Sequence, residues 1–468
     1  MRAKAVVVMA AGKGTRMRSR QTKVLHSVAG RPLIHYPVAQ ALALGAERVV
    51  LVLGHQREAV EASVRAAFPD APIEVAVQAE QLGTAHAVLC ARDALSDFAG
   101  DVFILSGDVP TLRDETLQAL DERAGDAPVA VLGMRLAEPA AYGRFVRQEG
   151  ALAAIVEARD CSPSQLAIDE VNAGIYRVDA GFLFETLAAV GSDNAQGEFY
   201  LTDLVAAAAA QGVAVRDLVL EGDAALELHG VNDRQDLAAA EARIQARLRA
   251  HWLAAGVTMQ SPDSVTLGHR VQLAPDVVLE PDVSLLGDTA IGEGAWIERG
   301  VRIQDSQVGA GSRILGHSYL ESAQVGAGCQ VGPFARLREG TVLCEGVKVG
   351  NFVETKKTEL GKGAKASHLS YLGDALVGPG ANIGAGTITC NYDGVNKHRT
   401  VIGAGAFIGS DTQLVAPVTV GDGAYVGAGS TITEPVPADG LALSRVRQRV
   451  IEGWAARQRA RMSKKKEG

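Results

Sequence analysis

A short loop near the start of the chain combines glycines with basic side chains. Residues 9–17 read MAAGKGTRM and follow the apolar run Ala5–Val8. The loop is not a P-loop, which needs four residues between its first glycine and Gly-Lys-Ser/Thr, and Met17 stands where the dinucleotide fingerprint has its third glycine. A glycine-rich turn after a strand still binds phosphate through its backbone N–H groups. The residues themselves therefore leave two interpretations, a phosphate-binding loop and a structural turn from strand to helix.

The first half of the chain must position this loop, and its pattern is that of an α/β domain. Short β-branched runs such as Val49–Leu53 and Val102–Leu105 predict buried parallel strands, and Pro37–Leu44 and Glu58–Phe68 predict helices between them. Alternating strands and helices favour a mostly parallel sheet. Ligands of such sheets bind beyond the carboxyl ends of the strands, so we expect the chemistry in the loops that follow strands.

The second half follows a six-residue repeat. A helical stretch without proline, Arg234–Ala255, precedes the repeat and predicts a linker helix that ends at Gly256. Aliphatic residues then recur at every sixth position in three runs, often followed by glycine. The runs are Val265, Val271, Val277 and Val283; Ile291, Ile297 and Ile303; and Ile402, Ile408, Leu414, Val420, Val426 and Ile432. This pattern is typical of a parallel β-helix, in which the aliphatic side chain points inward and small residues permit the corner. Residues 390–400 interrupt the repeat, which predicts an external loop.

Bulk properties narrow the class of protein. A chain of 468 residues is too long for one ordinary core, which predicts at least two domains. The net charge of −8 argues against a nucleic-acid partner, and no apolar run is long enough to insert into a membrane. The five cysteines are scattered without metal-ligand spacing, which predicts reduced thiols in a cytoplasmic protein. The basic cluster Lys464–Lys466 is interpreted as a solvated tail.

Several motifs resemble those of sugar nucleotidyltransferases. The loop and Lys23 in TKVLH are followed, in that family's order, by QAEQLGTA from 78, SGD from 106, YGR from 142, IVE from 155, VNAG from 171, EFYLTD from 198 and VN from 231. With the hexapeptide repeat added, the chain resembles nearly end to end the bacterial bifunctional family of N-acetylglucosamine-1-phosphate uridyltransferases and glucosamine-1-phosphate acetyltransferases.

The resemblance implies an α/β plus all-β architecture. A Rossmann-like nucleotidyltransferase domain would span residues 1–234, a linker helix 235–255, and a left-handed parallel β-helix of hexapeptide repeats, with acetyltransferase activity and a tail, 256–468. The β-helices of this family form homotrimers with an acetyl site shared between subunits, so the resemblance implies the same assembly here.

For the first half, the resemblance implies uridylyl transfer from UTP to N-acetylglucosamine-1-phosphate with release of pyrophosphate. Arg16 and Lys23 would neutralise the phosphates, while Asp108 and Asn232 would bind Mg²⁺. Considered singly, Asp108 and Asn232 also suit turns.

The positions that the resemblance implies for UTP and UDP-N-acetylglucosamine are Met9, Ala10, Ala11, Gly12, Lys23, Gln78, Gly83, Thr84, Ser106, Gly107, Asp108, Gly143, Glu157, Asn172 and Asn232. The uracil would contact Gln78, Gly83 and Thr84. The sugar would contact Gly143, Glu157 and Asn172, the last of which taken alone also suits a turn.

For the second half, the resemblance implies acetyl transfer from acetyl-CoA to glucosamine-1-phosphate. The reaction needs an unprotonated amine, and His368 would accept its proton because imidazole titrates near neutral pH. We expect Glu354 and Asn391 to orient this base. A lone histidine on a β-helix is also commonly an exposed surface residue, but the neighbouring Tyr371 and the loop at 390–400 favour a function.

The remaining implied positions bind the two substrates of this reaction. Arg338 and Lys356 would clamp the sugar phosphate, with Tyr371 and Asn382 on the hydroxyls. The positions implied for acetyl-CoA are Ala385, Asn391, Tyr392, Ser410, Ala428 and Arg445. Small residues suit an extended pantetheine arm, which needs close approach to the backbone.

The chain departs from the family pattern at three positions. Ser106 replaces a usual tyrosine and Thr22 a usual proline, whereas Glu339 replaces a usual proline beside Arg338, where an acidic neighbour would alter phosphate affinity. Two alternative functions are also open. One is a monofunctional sugar-1-phosphate nucleotidyltransferase with a structural or regulatory β-helix, and the other is a non-enzymatic subunit that binds a sugar nucleotide. His368 and the loop at 390–400 argue against the first alternative. The intact charged residues of the first half argue against the second.

Overall fold

The computed structural model describes residues 2–464, so Lys465 and Lys466 of the predicted tail lie outside the described residues. The chain divides into two compact units, one up to Leu248 and one from Arg249 onward. Among the described residues, no helix combines the length and the hydropathy that a membrane span requires. All five cysteines are free thiols.

The first unit is built on a nine-stranded mixed sheet and a short hairpin. Its strands are β1 (Lys4–Ala10), β2 (Ser27–Val28), β3 (Arg31–Pro32), β4 (Arg48–Leu53), β5 (Ile73–Val77), β6 (Asp101–Ser106), β7 (Val129–Arg135), β8 (Arg144–Gln148), β9 (Ala151–Val156), β10 (Glu170–Asp179) and β11 (Val215–Leu220). The order is β11-β7-β10-β6-β1-β4-β5, and β8 pairs with β10 and β9. β1 is parallel to both of its neighbours, whereas β10 runs antiparallel to β6 and β7.

The helices of this part of the chain include α1 (His35–Ala43) and α2 (Arg57–Ala67), which correspond to the two segments that the sequence pattern predicts. They also include α3 (Thr84–Leu89), α4 (Asp114–Ala124), α5 (Pro163–Leu166), α6 (Ala180–Leu187), α7 (Asp203–Ala210) and α8 (Arg234–Ala254), with 3-10 turns at Thr15–Met17, Lys23–Leu25, Asp93–Leu95 and Gly222–Leu228. The proposed linker corresponds to α8, and the two compact units divide within this helix, after Leu248.

The central strand β1 is buried on both faces. Val6 and Val8 pack in one apolar cluster, while Ala5 and Val7 pack in the cluster on the opposite face of the sheet. A strand covered on both faces has a continuous apolar sequence instead of an alternating one. β1 therefore gives the glycine-rich loop that follows it a rigid base.

The second unit is a parallel β-helix with three walls, each a parallel sheet. The first wall contains β12 (Thr258–Met259), β15 (Val278–Leu279), β18 (Trp296–Ile297), β21 (Arg313–Ile314), β24 (Gln330–Val331), β27 (Lys348–Asn351), β30 (Lys365–His368), β33 (Asn382–Ile383), β36 (Phe407–Ile408), β39 (Tyr425–Val426) and β41 (Leu441–Ala442). The second contains β13 (Thr266–Leu267), β16 (Ser284–Leu286), β19 (Arg302–Gln304), β22 (Tyr319–Glu321), β25 (Arg336–Leu337), β28 (Glu354–Lys356), β31 (Tyr371–Gly373), β34 (Ile388–Cys390), β37 (Gln413–Val415) and β40 (Thr431–Ile432). The third contains β14 (Gln272–Leu273), β17 (Ala290–Ile291), β20 (Gln307–Val308), β23 (Gln324–Val325), β26 (Val342–Leu343), β29 (Glu359–Leu360), β32 (Ala375–Val377), β35 (Thr400–Ile402) and β38 (Val418–Val420). In sequence, a 3-10 turn (Pro262–Ser264) follows β12, and a helix, α9 (Trp454–Lys464), follows β41.

The interior of the β-helix is formed by the repeat itself. Every aliphatic residue of the six-residue series named above is buried, and the least buried, Ile432, is 5% exposed. Each wall contributes one inward side chain per strand, so the aliphatic residues stack in columns along the axis. The break in the repeat is external, as predicted, and lies between β34 and β35.

Candidate active sites

A cavity of about 380 Å³ lies beyond the carboxyl ends of β1 and β6 in the first unit. Parallel strands end at the same edge of the sheet, so the loops that follow them meet there. Its wall consists of Met9, Ala10, Ala11, Gly12, Lys23, Val24, Gln78, Gln81, Gly83, Thr84, Ala87, Ser106, Asp108 and Glu198. The structure therefore brings most of the positions implied for UTP to one cavity.

Gly14 brings the loop against Lys23. Its φ of +61° lies in the left-handed region, and a Cβ on this residue would lie 2.5 Å from the Cβ of Lys23. Glycine is needed here both for the backbone conformation and for the space. The 3-10 turn that follows buries the side chain of Met17. The loop thus positions a charged side chain nine residues further along the chain.

Two basic side chains meet the two residues predicted to bind a metal. Lys23 Nζ forms an ion pair with Asp108 Oδ2, and Arg16 Nη2 donates a hydrogen bond of 2.9 Å to Asn232 Oδ1. The backbone N–H of Val231 donates to the Asp108 carbonyl over 2.8 Å. Asp108 and Asn232 are therefore on adjoining segments although they are far apart in the sequence.

The donor set of Asp108 and Asn232 fits Mg²⁺. One carboxylate and one amide oxygen are hard ligands, and they leave most positions of an octahedral ion to phosphate oxygens and water. The positive charges of Lys23 and Arg16 beside these oxygens suit a site that also receives phosphate groups.

The positions implied for uracil form a rigid segment. The buried Gln78 side chain donates from Nε2 to the Gly83 carbonyl over 3.2 Å. A Cβ on Gly83 would lie 2.4 Å from the carbonyl oxygen of Phe199, so only glycine fits there. The hydroxyl of Thr84 accepts a hydrogen bond of 2.9 Å from the backbone N–H of Leu201. The segment is held against residues 199–201.

The positions implied for the sugar lie together beside this cavity. The Asn172 N–H donates to the Gly143 carbonyl over 2.8 Å, and the side chain of Asn172 accepts from the Gly174 N–H over 3.0 Å. A Cβ on Gly143 would lie 3.5 Å from Glu157 Oε1, and one on Gly174 would lie 3.7 Å from Ser106 Oγ. Burial raises the pKa of Glu157. Ser106 lines the cavity and also faces Gly174. It therefore lies between the cavity and the residues implied for the sugar.

Three predicted residues, besides Gly143, Glu157 and Asn172, lie off the wall of the first cavity. Arg16 and Asn232 line a second cavity of about 610 Å³, together with Tyr142 and His229. Burial raises the pKa of Tyr142 and lowers the pKa of His229. Gly107 packs against the end of β1 instead of facing a cavity.

Two residues that contact the loops were not among the predicted positions. Gln81 and Glu198 line the first cavity, and Gln81 Nε2 donates to the Ala11 carbonyl over 2.7 Å. Both lie inside motifs that carry the family resemblance, QAEQLGTA and EFYLTD. Membership of these motifs could have identified them from the sequence. Thr22 also has a role that proline lacks, because its N–H donates to Gln56 Oε1 over 2.9 Å.

His368 lies at an exposed corner of the β-helix, where β30 ends. Strand pairing sets it beside Asn351 of β27, and His368 Nδ1 is 2.8 Å from Asn351 Oδ1. An amide oxygen only accepts hydrogen bonds, so in the neutral ring Nδ1 carries the proton and the lone pair is on Nε2. This arrangement suits a general base.

The expectation that Glu354 and Asn391 orient His368 is wrong. Glu354 Oε1 accepts a hydrogen bond of 2.8 Å from Arg338 Nη1, and the Asn391 amide donates to an aspartate carboxylate. The reason is the register of the β-helix. The nearest neighbour of a corner residue is the corner residue of the preceding coil, and at His368 this is Asn351.

The two basic residues predicted to clamp a phosphate lie on neighbouring coils, and each is paired with a carboxylate. Arg338 pairs with Glu354 over 2.8 Å, and Lys356 Nζ pairs with Glu339 Oε1 over 3.1 Å. Tyr371 lies in register with Glu354 on the next strand. The unusual acidic residue at 339 therefore pairs with Lys356 and not with its sequence neighbour.

Most positions implied for acetyl-CoA share a corner with His368. The carbonyl groups of Leu369, Ala385 and Ser410 accept hydrogen bonds of 2.9, 2.7 and 2.8 Å from backbone N–H groups of the next coil. Arg445 Nη1 donates to the Ala428 carbonyl over 2.8 Å. The corner thus runs from His368 through Ala385, Ser410 and Ala428 to Arg445. Asn382 lies apart from this corner, on the first wall, in register with Lys365 and Phe407.

The external loop that carries Asn391 and Tyr392 is closed by its own contacts. Tyr392 is 60% exposed and pairs with Lys397. The Asp393 carboxylate accepts two backbone N–H groups, over 2.8 and 2.6 Å, and lies 2.6 Å from His398 Nε2. These partners, His398 first, lower the pKa of Asp393 to about 2.

Models of three known protein families match separate parts of the chain. The family of MobA-like NTP transferase domains matches residues 6–162, the GMPPB C-terminal domain matches residues 263–360, and the bacterial transferase hexapeptide (six repeats) matches residues 399–434. These matches, with the three parallel walls, confirm the predicted fold class: a nucleotidyltransferase domain followed by a left-handed parallel β-helix of hexapeptide repeats.

Curated relatives match the chain over nearly its full length. The Bifunctional protein GlmU of Anaeromyxobacter sp. (strain Fw109-5) is 52% identical, covering 98% of this chain and 94% of the relative. The proteins of the same name from Pelobacter propionicus and Syntrophotalea carbinolica are 49% and 50% identical, covering 98% and 97% of this chain and 99% and 97% of the relatives.

Proposed function

The chain belongs to the family of bifunctional GlmU proteins, and from this premise we propose which reaction each of its two units catalyses. The chain is a bifunctional transferase that forms UDP-N-acetylglucosamine. The second unit transfers an acetyl group from acetyl-CoA to glucosamine-1-phosphate, and the first transfers a uridylyl group from UTP to the product. The alternative of a monofunctional nucleotidyltransferase with a structural β-helix does not account for the His368–Asn351 pair.

Uridylyl transfer takes place in the cavity beside the glycine-rich loop. A phosphate oxygen of N-acetylglucosamine-1-phosphate attacks the α-phosphorus of UTP, and the bond to pyrophosphate breaks. Such a reaction needs positioning and charge neutralisation more than covalent help. Lys23 and Arg16 neutralise the phosphates, the loop donates backbone N–H groups, and the segment Gln78–Thr84 receives the uracil.

Asp108 and Asn232 would hold Mg²⁺, which when bound would supply positive charge to the phosphates. The chain's own contribution is to keep these two oxygens together. The Val231 N–H bond to the Asp108 carbonyl supports this role, because it ties the two ligand-bearing segments to one another.

The observation that carries the acetyl-transfer assignment is the shared corner of His368, Ala385, Ser410 and Ala428. The amine of glucosamine-1-phosphate attacks the thioester carbonyl, its proton passes to His368 Nε2, and the C–S bond breaks. Coenzyme A leaves as a thiolate and takes up that proton from His368 to become the thiol. Asn351 keeps the ring in the tautomer that this step needs. Small residues along the corner admit the pantetheine arm, and Arg445 lies where it can meet the charged end of the cofactor.

We also propose a homotrimer in the cytoplasm. Phe334, Phe352 and Leu369 form an exposed apolar stripe beside His368, and the rings of Phe334 and Phe352 stack at 5.5 Å. A stripe of this kind is typical of an interface between subunits. Asn382 lies on a different wall from Tyr371, so a site that uses both is best completed by a second subunit. Five free thiols accord with a reducing compartment.

One assay of the purified protein with glucosamine-1-phosphate, acetyl-CoA, UTP and Mg²⁺ tests the proposal. His368→Ala should abolish thiol release and spare uridylylation of pre-acetylated sugar phosphate, whereas Asp108→Ala should do the reverse. If the unmodified protein uridylylates the acetylated sugar but never acetylates glucosamine-1-phosphate, the monofunctional alternative is correct. If His368→Ala leaves thiol release unchanged, the assignment of the base is wrong.

A further inference from the structure

The charges around the proposed phosphate clamp of the second unit cancel one another. Arg338 pairs with Glu354, and Lys356 pairs with Glu339, so two cations face two anions. The side chains of Arg338 and Glu354 are about one-third exposed, at 35% and 37%. Lys356 is more buried, at 18%, whereas Glu339 is 58% exposed. An incoming phosphate group therefore meets a site whose most buried cation already has a partner.

The position of Glu339 is set by the backbone of the next coil. Its carbonyl accepts a hydrogen bond of 3.0 Å from the N–H of Lys357, and the neighbouring Arg338 N–H donates to the Thr355 carbonyl over 2.9 Å. These bonds fix residue 339 opposite Lys356. The ion pair with Lys356 holds the pKa of the Glu339 carboxyl below its usual value, so the carboxyl is ionised at neutral pH.

We propose that Glu339 is an internal competitor for the sugar phosphate, which must displace its carboxylate from Lys356 in order to bind. This inference rests on the acetyl-transfer function proposed above. Glu339 thereby sets the affinity for the phosphorylated amino sugar: it weakens binding of any phosphate monoester without taking part in the chemistry. Arg338 differs from Lys356 because its planar guanidinium presents donors along two edges. Nη1 can keep Glu354 while the remaining N–H groups bind phosphate, whereas the Lys356 ammonium is a single point of charge.

Glu339→Gln tests the proposal, because it removes the charge and keeps the size. Exposed ion pairs contribute little to stability, so we expect the KM for glucosamine-1-phosphate to fall only about three- to fivefold at low salt. The change should appear in KM and not in kcat, since the pair exists only before the substrate binds. It should shrink as KCl is raised, because salt screens exposed charges. Calorimetric titration with glucosamine-1-phosphate measures the same difference without turnover.

Glu345→Gln is the matched control. Glu345 forms a similar exposed pair with Lys362, over 3.0 Å, outside the clamp, and its replacement should leave KM unchanged. Lys356→Met should raise KM for the same substrate. A KM that is unchanged or higher in Glu339→Gln, in a protein whose Lys356→Met variant binds more weakly, overturns this proposal alone. A protein that does not acetylate glucosamine-1-phosphate at all overturns the proposed function instead.

Discussion

Replacing Gly14 by alanine tests whether the glycine-rich loop acts through Lys23. The new Cβ would lie 2.5 Å from the Cβ of Lys23. Non-bonded carbon atoms pack at about 3.5–4.0 Å, so one of the two segments must move by about 1 Å. A displacement of about 1 Å in a positioned group costs about 100-fold in rate. We therefore expect kcat/KM for uridylyl transfer to fall about 100-fold, which corresponds to about 2.7 kcal/mol of lost transition-state stabilisation.

The backbone of Gly14 adds a separate cost, which a control can isolate. A side chain in the left-handed region costs about 1–2 kcal/mol. Gly30 has a φ of +74°, and nothing lies within 4 Å of its Cβ position, so Gly30→Ala carries the backbone cost without the collision. Both variants should lose free energy of unfolding in urea, and Gly14→Ala should lose more because it adds the collision to the backbone cost. Only Gly14→Ala should lose uridylyl transfer.

The assay follows pyrophosphate release from UTP with N-acetylglucosamine-1-phosphate, and thiol release from acetyl-CoA reports on the second unit of the same samples. Thiol release should stay at the level of the unmodified protein in both variants, because Gly14 and Gly30 belong to the first compact unit. Equal uridylyl transfer by Gly14→Ala and Gly30→Ala would refute the reasoning, since the collision with Lys23 would then have no consequence.

Three further predictions concern other contacts. Asn351→Ala should lower kcat for acetyl transfer about 10- to 100-fold with little change in KM, since the His368 ring loses the partner that fixes its tautomer. Asn351→Asp, which keeps an acceptor oxygen, should restore much of the rate and move the acid limb of the pH profile upward; equal rates in all three proteins would contradict the role. Arg177→Met should cost at most about 3–5 kcal/mol of unfolding free energy, because it removes the 2.6 Å partner of the buried Asp101 carboxylate and leaves it only the half-exposed Arg2 at 3.0 Å. Adding Asp101→Asn should recover part of this loss in urea titrations, and no recovery would argue against the pair. The pKa of Asp393 is lowered from 3.8 to about 2, so its contribution to the loop is present above the unfolded pKa and is lost as the pH falls through about 2. Hydrogen exchange of the Val395 and Asn396 amides should show this loss of protection in the unmodified protein and not in Asp393→Asn.

The elements of both units were predictable because they repeat locally. Continuous apolar runs predicted β1, β4 and β6, and the six-residue period predicted the interior of the β-helix down to individual residues such as Val283 and Ile408. A period specifies which side chains face inward, since each repeat makes the same turn. The glycine-rich loop was recognisable for a related reason, because its glycines follow directly on a buried strand.

The contacts that complete each site were decided by tertiary structure. Lys23 meets Gly14 and Asp108 only because loops from separate strands converge at one edge of the sheet. On the β-helix, the partner of His368 is Asn351, one coil earlier, and the sequence analysis chose Glu354 and Asn391 instead. Periodicity determines the face on which a side chain stands, whereas its neighbour depends on how many residues each coil contains and on the register between coils. The pairing of Glu339 with Lys356 follows from the same register. The partner of this unusual residue was therefore decided by the folded chain.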